Sequence, residues 1–522
     1  AVGLTGFSYG GMRALMMGVG SAANPQFDAR VDAIAPVAGG MNWDKVPALS
    51  SDGAATPAWR PRATTSAPVW WGHQGWMTHT DEAVMNTALT AERAEFADEA
   101  VPSSNGNGSM TAGSALLTIS GSPAFTAGDV GSRVNVAGAG ASGRTLWTSI
   151  ALYTSPTEVT LATTASTPVS GARASWGPRG FWDERLFLSG DAVVDKAAHI
   201  AVPTLLVHGW LDGTIGTAYA EVYGEIYNRI PGNDRYLYLG SCTHSGSGLS
   251  GDPCHQTTNG PRMRDTLHRF FDRYVRGETT NAVRPPGTTT CATTGPCVIY
   301  TIPAKWVSST NNPWYTDNWT EVSRTSWPPS DFTPETRYFR NDGTLSTTWE
   351  TTPQANTSCS ALPPTKGTGC STFTNDLNVA PTFDVCYGLT YGTTEVQSFD
   401  WSFAAEKKVA RLEADLHLSS TTSRQQVYVD VWLTDSAGTE LTRVWQGSTQ
   451  IAPVKRDGTP GTVYRFKFRP GTAAWTVAAG QRLRIKVASG YARGLPSEPL
   501  PATYTLYHND PYRSAITLTY VP

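Results

Sequence analysis

The stretch Val2-Gly3-Leu4-Thr5-Gly6-Phe7-Ser8-Tyr9-Gly10-Gly11-Met12, at the head of the chain, decides how the rest is read. Residues 6–10 have the form G-x-S-x-G, in which a serine sits on a tight strand-to-helix turn and the flanking glycines let the backbone pass closely. A few apolar or small residues precede the turn, and a helix-favouring run, Met12 to Met17, follows it. Gly and Ser are common in any loop, so the pattern alone is a weak signal. The rest of the chain must supply the partners that a nucleophilic serine needs.

Those partners are a base within hydrogen-bond reach and a carboxylate that orients it. The α/β-hydrolase fold delivers them in the chain order Ser, acid, His, from the carboxyl ends of successive parallel strands. Here the buried-strand run Thr204 to His208 ends in a turn bearing Asp212, helix "AYAEVYGEIYNRI" follows, and a second apolar strand, "RYLYLG", leads to "SCTHSG" and His244. Ser8, Asp212 and His244 therefore occur in the required order, each after a predicted strand. Of the other histidines, His208 lies inside a strand and reads as a packed core residue, and His268 sits on a predicted helix. His417 and His508 fall in the all-β region, and His199 and His255 have no strand immediately before them. His73 and His79 lie among tryptophans that could line a pocket. Asp212 is less exclusive than His244, because an Asp in a turn is ordinary.

Working outward, "RVDAIAPVAGG" closes a βαβ unit with the opening strand and helix, the signature of a parallel sheet. Residues 41–200 read as a cap, of which 41–108 are rich in Trp, Pro and Ala. Within it, residues 109–176 change character: nearly free of charge, rich in Gly, Thr and Ser, and alternating like short strands, they form a β-rich insert whose plainest reading is a surface decoration. "PRMRDTLHRFFDRYVRG" places Met263, Leu267, Phe270, Phe271, Tyr274 and Val275 on one face of a helix that should pack on the sheet. From 281 to 522 the chain is strand-like. "RLEADLHL" and "QVYVDVWL" alternate strictly, and many such strands with turn-rich connections predict an antiparallel sandwich, a jelly roll. The expected fold class is thus α/β plus all-β, with a catalytic domain over 1–280 and a sandwich over 281–522.

Composition bounds the function. A length of 522 residues asks for two or three domains. A net charge of −3 gives no reason to expect nucleic acid as partner, and no run of eighteen apolar residues could span a membrane. Three cysteine pairs lie close together in Gly/Pro/Ser/Thr-rich loops: Cys242 with Cys254, Cys291 with Cys297, and Cys359 with Cys370, leaving Cys386 over. Such loops suit disulfides and secretion or another extracytoplasmic location. The rival reading, zinc, lacks C-x-x-C pairs and ligand-spaced histidines, so no metal is expected.

"GFSYGG", "VPTLLVHGWLDG", "LYLGSCTHSG", "RFFDRYVRG" and a closing β region with "SWPP", "GTLS" and "GQRLRIKVAS" resemble the serine hydrolase family that unites Xaa-Pro dipeptidyl-peptidases with cocaine esterase and related acylases. The resemblance covers nearly all the chain except the insert. It implies an α/β-hydrolase domain with a helical cap and a C-terminal jelly roll, a triad of Ser8, Asp212 and His244, the Tyr9 backbone N–H as one oxyanion donor, and no cofactor. It implies hydrolysis through an acyl-enzyme, of peptides with release of an N-terminal dipeptide or of small esters and amides. Trp70, Trp71 and Trp182, with Asp81, Glu82, Asp183 and Glu184 nearby, are the candidate substrate pocket. Two departures stand out: Ser241-Cys242 replace the family's usual Pro-Trp before the histidine, and the strands that ordinarily precede the serine, roughly a hundred residues or more, have no counterpart. The chain is therefore expected to begin part-way into the family's sequence. The reading from another class is a catalytically inactive protein that binds surfaces through its jelly roll and insert.

Overall fold

The computed structural model describes residues 1–20, 28–39, 105–121, 124–176, 187, 195–209, 219–240, 261–279, 283, 296–303, 319–340, 342–349, 351, 370–375, 382–384, 388–390, 397–421, 424–445, 454–457, 459–488 and 502–522. β1 (Val2–Phe7) turns directly into α1 (Tyr9–Gly18), and β2 (Val31–Val37) returns parallel to β1, Gly3–Phe7 lying beside Ala33–Val37. The predicted βαβ unit is present.

The β-rich insert is a closed six-stranded barrel. Its strands are β3 (Asn105–Met110), β4 (Leu116–Ser120), β5 (Arg133–Val136), β6 (Leu146–Ser155), β7 (Glu158–Leu161) and β8 (Val169–Trp176). Inward residues alternate with outward ones, and Leu117, Val134, Val136, Ile150, Val159 and Trp176 form a core of the barrel's own. Closure leaves no free strand edge, which is how a segment so poor in charge avoids pairing with another chain.

After the barrel the sheet resumes with β9 (Thr204–Gly209), α2 (Tyr219–Arg229), β10 (Arg235–Gly240), α3 (Pro261–Tyr274), β11 (Cys297–Pro303) and β12 (Trp319–Arg324). The strand order is β1-β2-β9-β10-β11-β12, parallel up to β11, with β12 antiparallel at the far edge. Successive residues go to opposite faces, and helices cover both, as a parallel sheet requires. Leu205, Val207, Tyr236, Tyr238 and Ile299 pack with Met263 and Phe270 of α3, joined by Leu267, Phe271, Tyr274 and Val275, so the predicted apolar face of that helix does dock on the sheet. Leu206, Leu237, Leu239 and Val298 face the other way, towards Leu15 of α1 and Tyr223, Ile226 and Tyr227 of α2.

One assignment changes. Residues 297–324 were expected in the sandwich, yet β11 and β12 complete the first sheet. The reason is visible in β11: Cys297 to Tyr300 are buried without alternation, at 1, 0, 3 and 0% exposure, the pattern of a strand covered on both faces. Sandwich strands alternate.

The sandwich follows. Its elements are β13 (Thr333–Phe339), β14 (Leu345–Ser346), β15 (Cys370–Asn375), the hairpin β16 (Thr382–Asp384) and β17 (Gly388–Thr390), β18 (Gln397–Ser402), β19 (Lys407–Ser420), β20 (Arg424–Thr434), β21 (Glu440–Trp445), β22 (Val454–Asp457), β23 (Tyr464–Val477), β24 (Arg482–Ala488), β25 (Ala502–Tyr507) and β26 (Ala515–Val521). One sheet runs β14-β13-β26-β19-β25-β15 with β23 also on β19; the other runs β18-β24-β20-β21 with β22 also on β20. Leu412, Leu416 and Leu418 from the first and Val427, Val429 and Val431 from the second share one apolar core, which is continuous with the α2 side of the mainly parallel sheet.

Candidate active site

Ser8 sits between β1 and α1 with φ 57° and ψ −118°, a backbone conformation that a residue with a side chain adopts only under constraint. The constraint comes from its neighbours. A Cβ on Gly6 would lie 2.4 Å from the carbonyl carbon of Gly10, and a Cβ on Gly11 would lie 2.6 Å from the Val37 carbonyl oxygen. The chain therefore folds back on itself where only glycine fits. The Ser8 N–H donates to Val37 O at 2.9 Å, and Ser8 O accepts from Met12 N–H at 3.1 Å, starting the helix. Tyr9 opens α1, so its N–H lies in the first helical turn, where donors have no intrahelical acceptor. A strained serine beside such donors is the backbone geometry of nucleophile elbows in general.

The next strands converge on the same end of the sheet. β9, leading towards Asp212, lies beside β2, and β10, leading towards His244, lies beside β9, with Gly209 level with Gly240. Asp212 and His244 themselves lie outside the described residues, as do Trp70, Trp71, Trp182, Asp81, Glu82, Asp183 and Glu184. Cys242, Cys254, Cys291, Cys359 and Cys386 are outside them too, while Cys297 is buried at the head of β11 and Cys370 begins β15. His208 is fully buried, its ring stacked on Tyr223 with centroids 5.1 Å apart, as its strand position predicted. Among the described residues no helix is long and apolar enough to cross a membrane.

Sequence reasoning missed three contributors. Gly39 packs so tightly on the elbow helix that a Cβ there would be 2.5 Å from Met12 N. Its N–H donates to the Tyr223 hydroxyl at 2.6 Å in a buried contact. Glu221, two residues before Tyr223 on α2, is tied to the sandwich by Arg411. The "AGG" that closes β2 hinted at the first; nothing local announces the other two, because their partners lie 184 and 190 residues away.

Comparison with known proteins gives the following. Residues 306–520 match the family described as the X-Pro dipeptidyl-peptidase C-terminal non-catalytic domain. No curated protein matches the sequence. Among solved structures, an aminopeptidase from the marine sediment archaeon Thaumarchaeota archaeon aligns with 100% of this chain and 76% of its own at 15% identity and TM-score 0.53. An alpha-amino acid ester hydrolase aligns with 100% and 76% at 15% identity and TM-score 0.51. A CocE/NonD family hydrolase from Staphylococcus aureus is 13% identical over 65% of this chain, with TM-score 0.43, and the aligned part spans 57% of that protein's length. At these identities the first two likenesses show a common fold. Residues 306–520 thus carry the domain described for X-Pro dipeptidyl-peptidases, and the chain along its whole length shares the fold of those two enzymes.

Proposed function

We propose that the protein is a serine hydrolase that works through an acyl-enzyme, with Ser8 as nucleophile, His244 as base and Asp212 as its orienting carboxylate. The observation that carries this reading is the Ser8 backbone, φ 57° and ψ −118°, at a strand-to-helix turn closed by Gly6 and Gly11. Strain of that kind is kept where surrounding structure enforces it, and nucleophile turns are such places. In the proposed cycle His244 takes the Ser8 proton as Oγ attacks the substrate carbonyl. The Tyr9 N–H helps hold the oxyanion, and the proton passes to the leaving group as the acyl-enzyme forms. Water, activated by the same base, then releases the acid and restores Ser8.

For substrate we propose release of an N-terminal Xaa-Pro dipeptide, with small esters or amides as the competing class. The C-terminal domain match supports the first. Secretion, with disulfides linking the three close cysteine pairs, belongs to the same proposal and is testable by non-reducing peptide mapping. The deciding experiment for mechanism is covalent labelling by a fluorophosphonate probe, which should modify Ser8 and vanish in Ser8→Ala; persistent labelling of that variant would sink the assignment. An Ala-Pro chromogenic amide assayed beside a simple aryl ester then separates peptidase from esterase.

A further inference from the structure

Three consecutive residues at the end of β2, Val37 to Gly39, tie the elbow to the rest of the molecule. Val37 O accepts from Ser8 N–H at 2.9 Å, Ala38 N–H donates to Val207 O of β9 at 2.8 Å, and Gly39 N–H donates to the Tyr223 hydroxyl of α2 at 2.6 Å. Ala38 adopts φ 47° to make this possible, and Gly39 lies against the backbone of Gly11 and Met12. The Tyr223 ring also stacks on His208, in the strand that leads to Asp212. One side chain thus touches both the clamp on the Ser8 turn and the strand that leads, in sequence, towards the proposed acid.

Tyr223 is in turn held from outside the hydrolase-type domain. Glu221, two residues earlier on α2, accepts from Arg411 of β19 through Nε at 2.6 Å and Nη2 at 2.9 Å, and from the Thr472 hydroxyl of β23 at 2.5 Å. The Glu221 and Arg411 side chains are 9% and 14% exposed, so this is a buried, bidentate pair, whose geometry fixes position as well as charge. Register irregularities between Val409 and Arg411, and again between Leu412 and Ala414, flank Arg411 in β19. Bulges of this kind re-aim a side chain and are features in their own right. A further contact locks the same helix: a Cβ on Gly224 would lie 2.0 Å from the Trp327 indole, and Asn228 Nδ2 donates to Trp327 O at 2.8 Å.

We propose that Tyr223 is a positioning residue for the Ser8 turn and that the C-terminal sandwich, through Arg411, Thr472 and Glu221, sets its place, so that a domain without chemistry of its own governs turnover. The proposal rests on the reading of Ser8 as the nucleophile. It identifies α2 as an element through which the two domains are coupled. Displacements of about 1 Å remote from the chemistry cost up to about a hundredfold in rate.

The test uses the full chain and four variants. Tyr223→Phe removes only the hydroxyl that Gly39 N–H bonds to; Thr472→Val and Arg411→Met weaken the anchor by different amounts; Ser8→Ala reports on the nucleophile. Two quantities are measured: the second-order rate of fluorophosphonate labelling, and hydrogen exchange of peptides spanning residues 6–14. Tyr223→Phe and Arg411→Met should each slow labelling by about 10- to 100-fold and speed exchange at 6–14, with Thr472→Val intermediate. With an ester substrate the loss should appear in kcat, KM staying within about twofold. A fifth variant that combines Tyr223→Phe with Arg411→Met should lose no more than the worse of the two alone, since both act through one helix. Wild-type labelling by Tyr223→Phe, or unchanged exchange at 6–14 in Arg411→Met and Thr472→Val, overturns the proposal. Labelling that survives in Ser8→Ala refutes the nucleophile instead, and the exchange arm still decides whether the sandwich holds the turn.

Discussion

The two glycines of G-x-S-x-G look equivalent in sequence, and the structure predicts that they are not. An ideal Cβ on Gly6 falls 2.4, 2.5 and 2.8 Å from the C, O and Cα atoms of Gly10, all backbone, where ordinary contact is 3.4 Å or more. A Cβ on Gly10 meets nothing within 4 Å. Relief of the Gly6→Ala clash therefore needs a shift of about 1 Å between β1 and the first turn of α1, and Ser8 is the hinge between them. Overpacking of this kind costs about 1–3 kcal/mol of stability, and a nucleophile displaced by about 1 Å loses about a hundredfold in rate. Gly10→Ala, inside a helix at ordinary φ, should instead raise stability by up to about 1 kcal/mol and leave chemistry alone. Fluorophosphonate labelling rates and thermal melts of the two variants check this. Equal labelling of Gly6→Ala and wild type, or equal damage from both substitutions, would refute the argument that Gly6 and not Gly10 sets the strained turn.

Two further outcomes are expected. The barrel of residues 105–176 has its own core, and its two ends are adjacent, Asn105 lying beside Ser175 in the ladder. Its replacement by a short Gly-Ser linker should leave the melt of the sandwich within about 2 °C of the parent, and a collapse of that transition would show the barrel to be structural. His508, fully buried beside Phe399, has its pKa pushed down to about 4, desolvation opposing the charged form. The unfolded chain then binds a proton first, so stability is complete above about pH 6.5 and falls as pH drops towards 4, by up to about 3 kcal/mol. Burial acts on His417 in the same direction. Melts of wild type and His508→Gln between pH 7 and 4 should diverge, the variant being flatter; identical slopes would exclude His508 as the cause.

What could be read from sequence was whatever repeats at short range. The period-two alternation of Leu412, Leu416 and Leu418, the helical face of Met263 and Phe270, the elbow of Ser8 and the burial of His208 all follow from local pattern, because strand and helix geometry dictate which neighbours share a face. The β character of the insert was legible too, though not its closure into a barrel, which depends on β8 pairing with both β3 and β5. Tertiary structure decided the matters that depend on distant partners. The run "CVIYTIP" could be a strand of either domain until the sheet showed it beside β10. Gly11 and Gly39 look like ordinary loop glycines until the backbones they touch, Val37 and Met12, come within van der Waals range. The Glu221–Arg411 pair spans 190 residues, and no local preference encodes it. Side-chain packing and buried charge are set by what the fold brings together, and a single strand or helix carries no record of the surface it will meet.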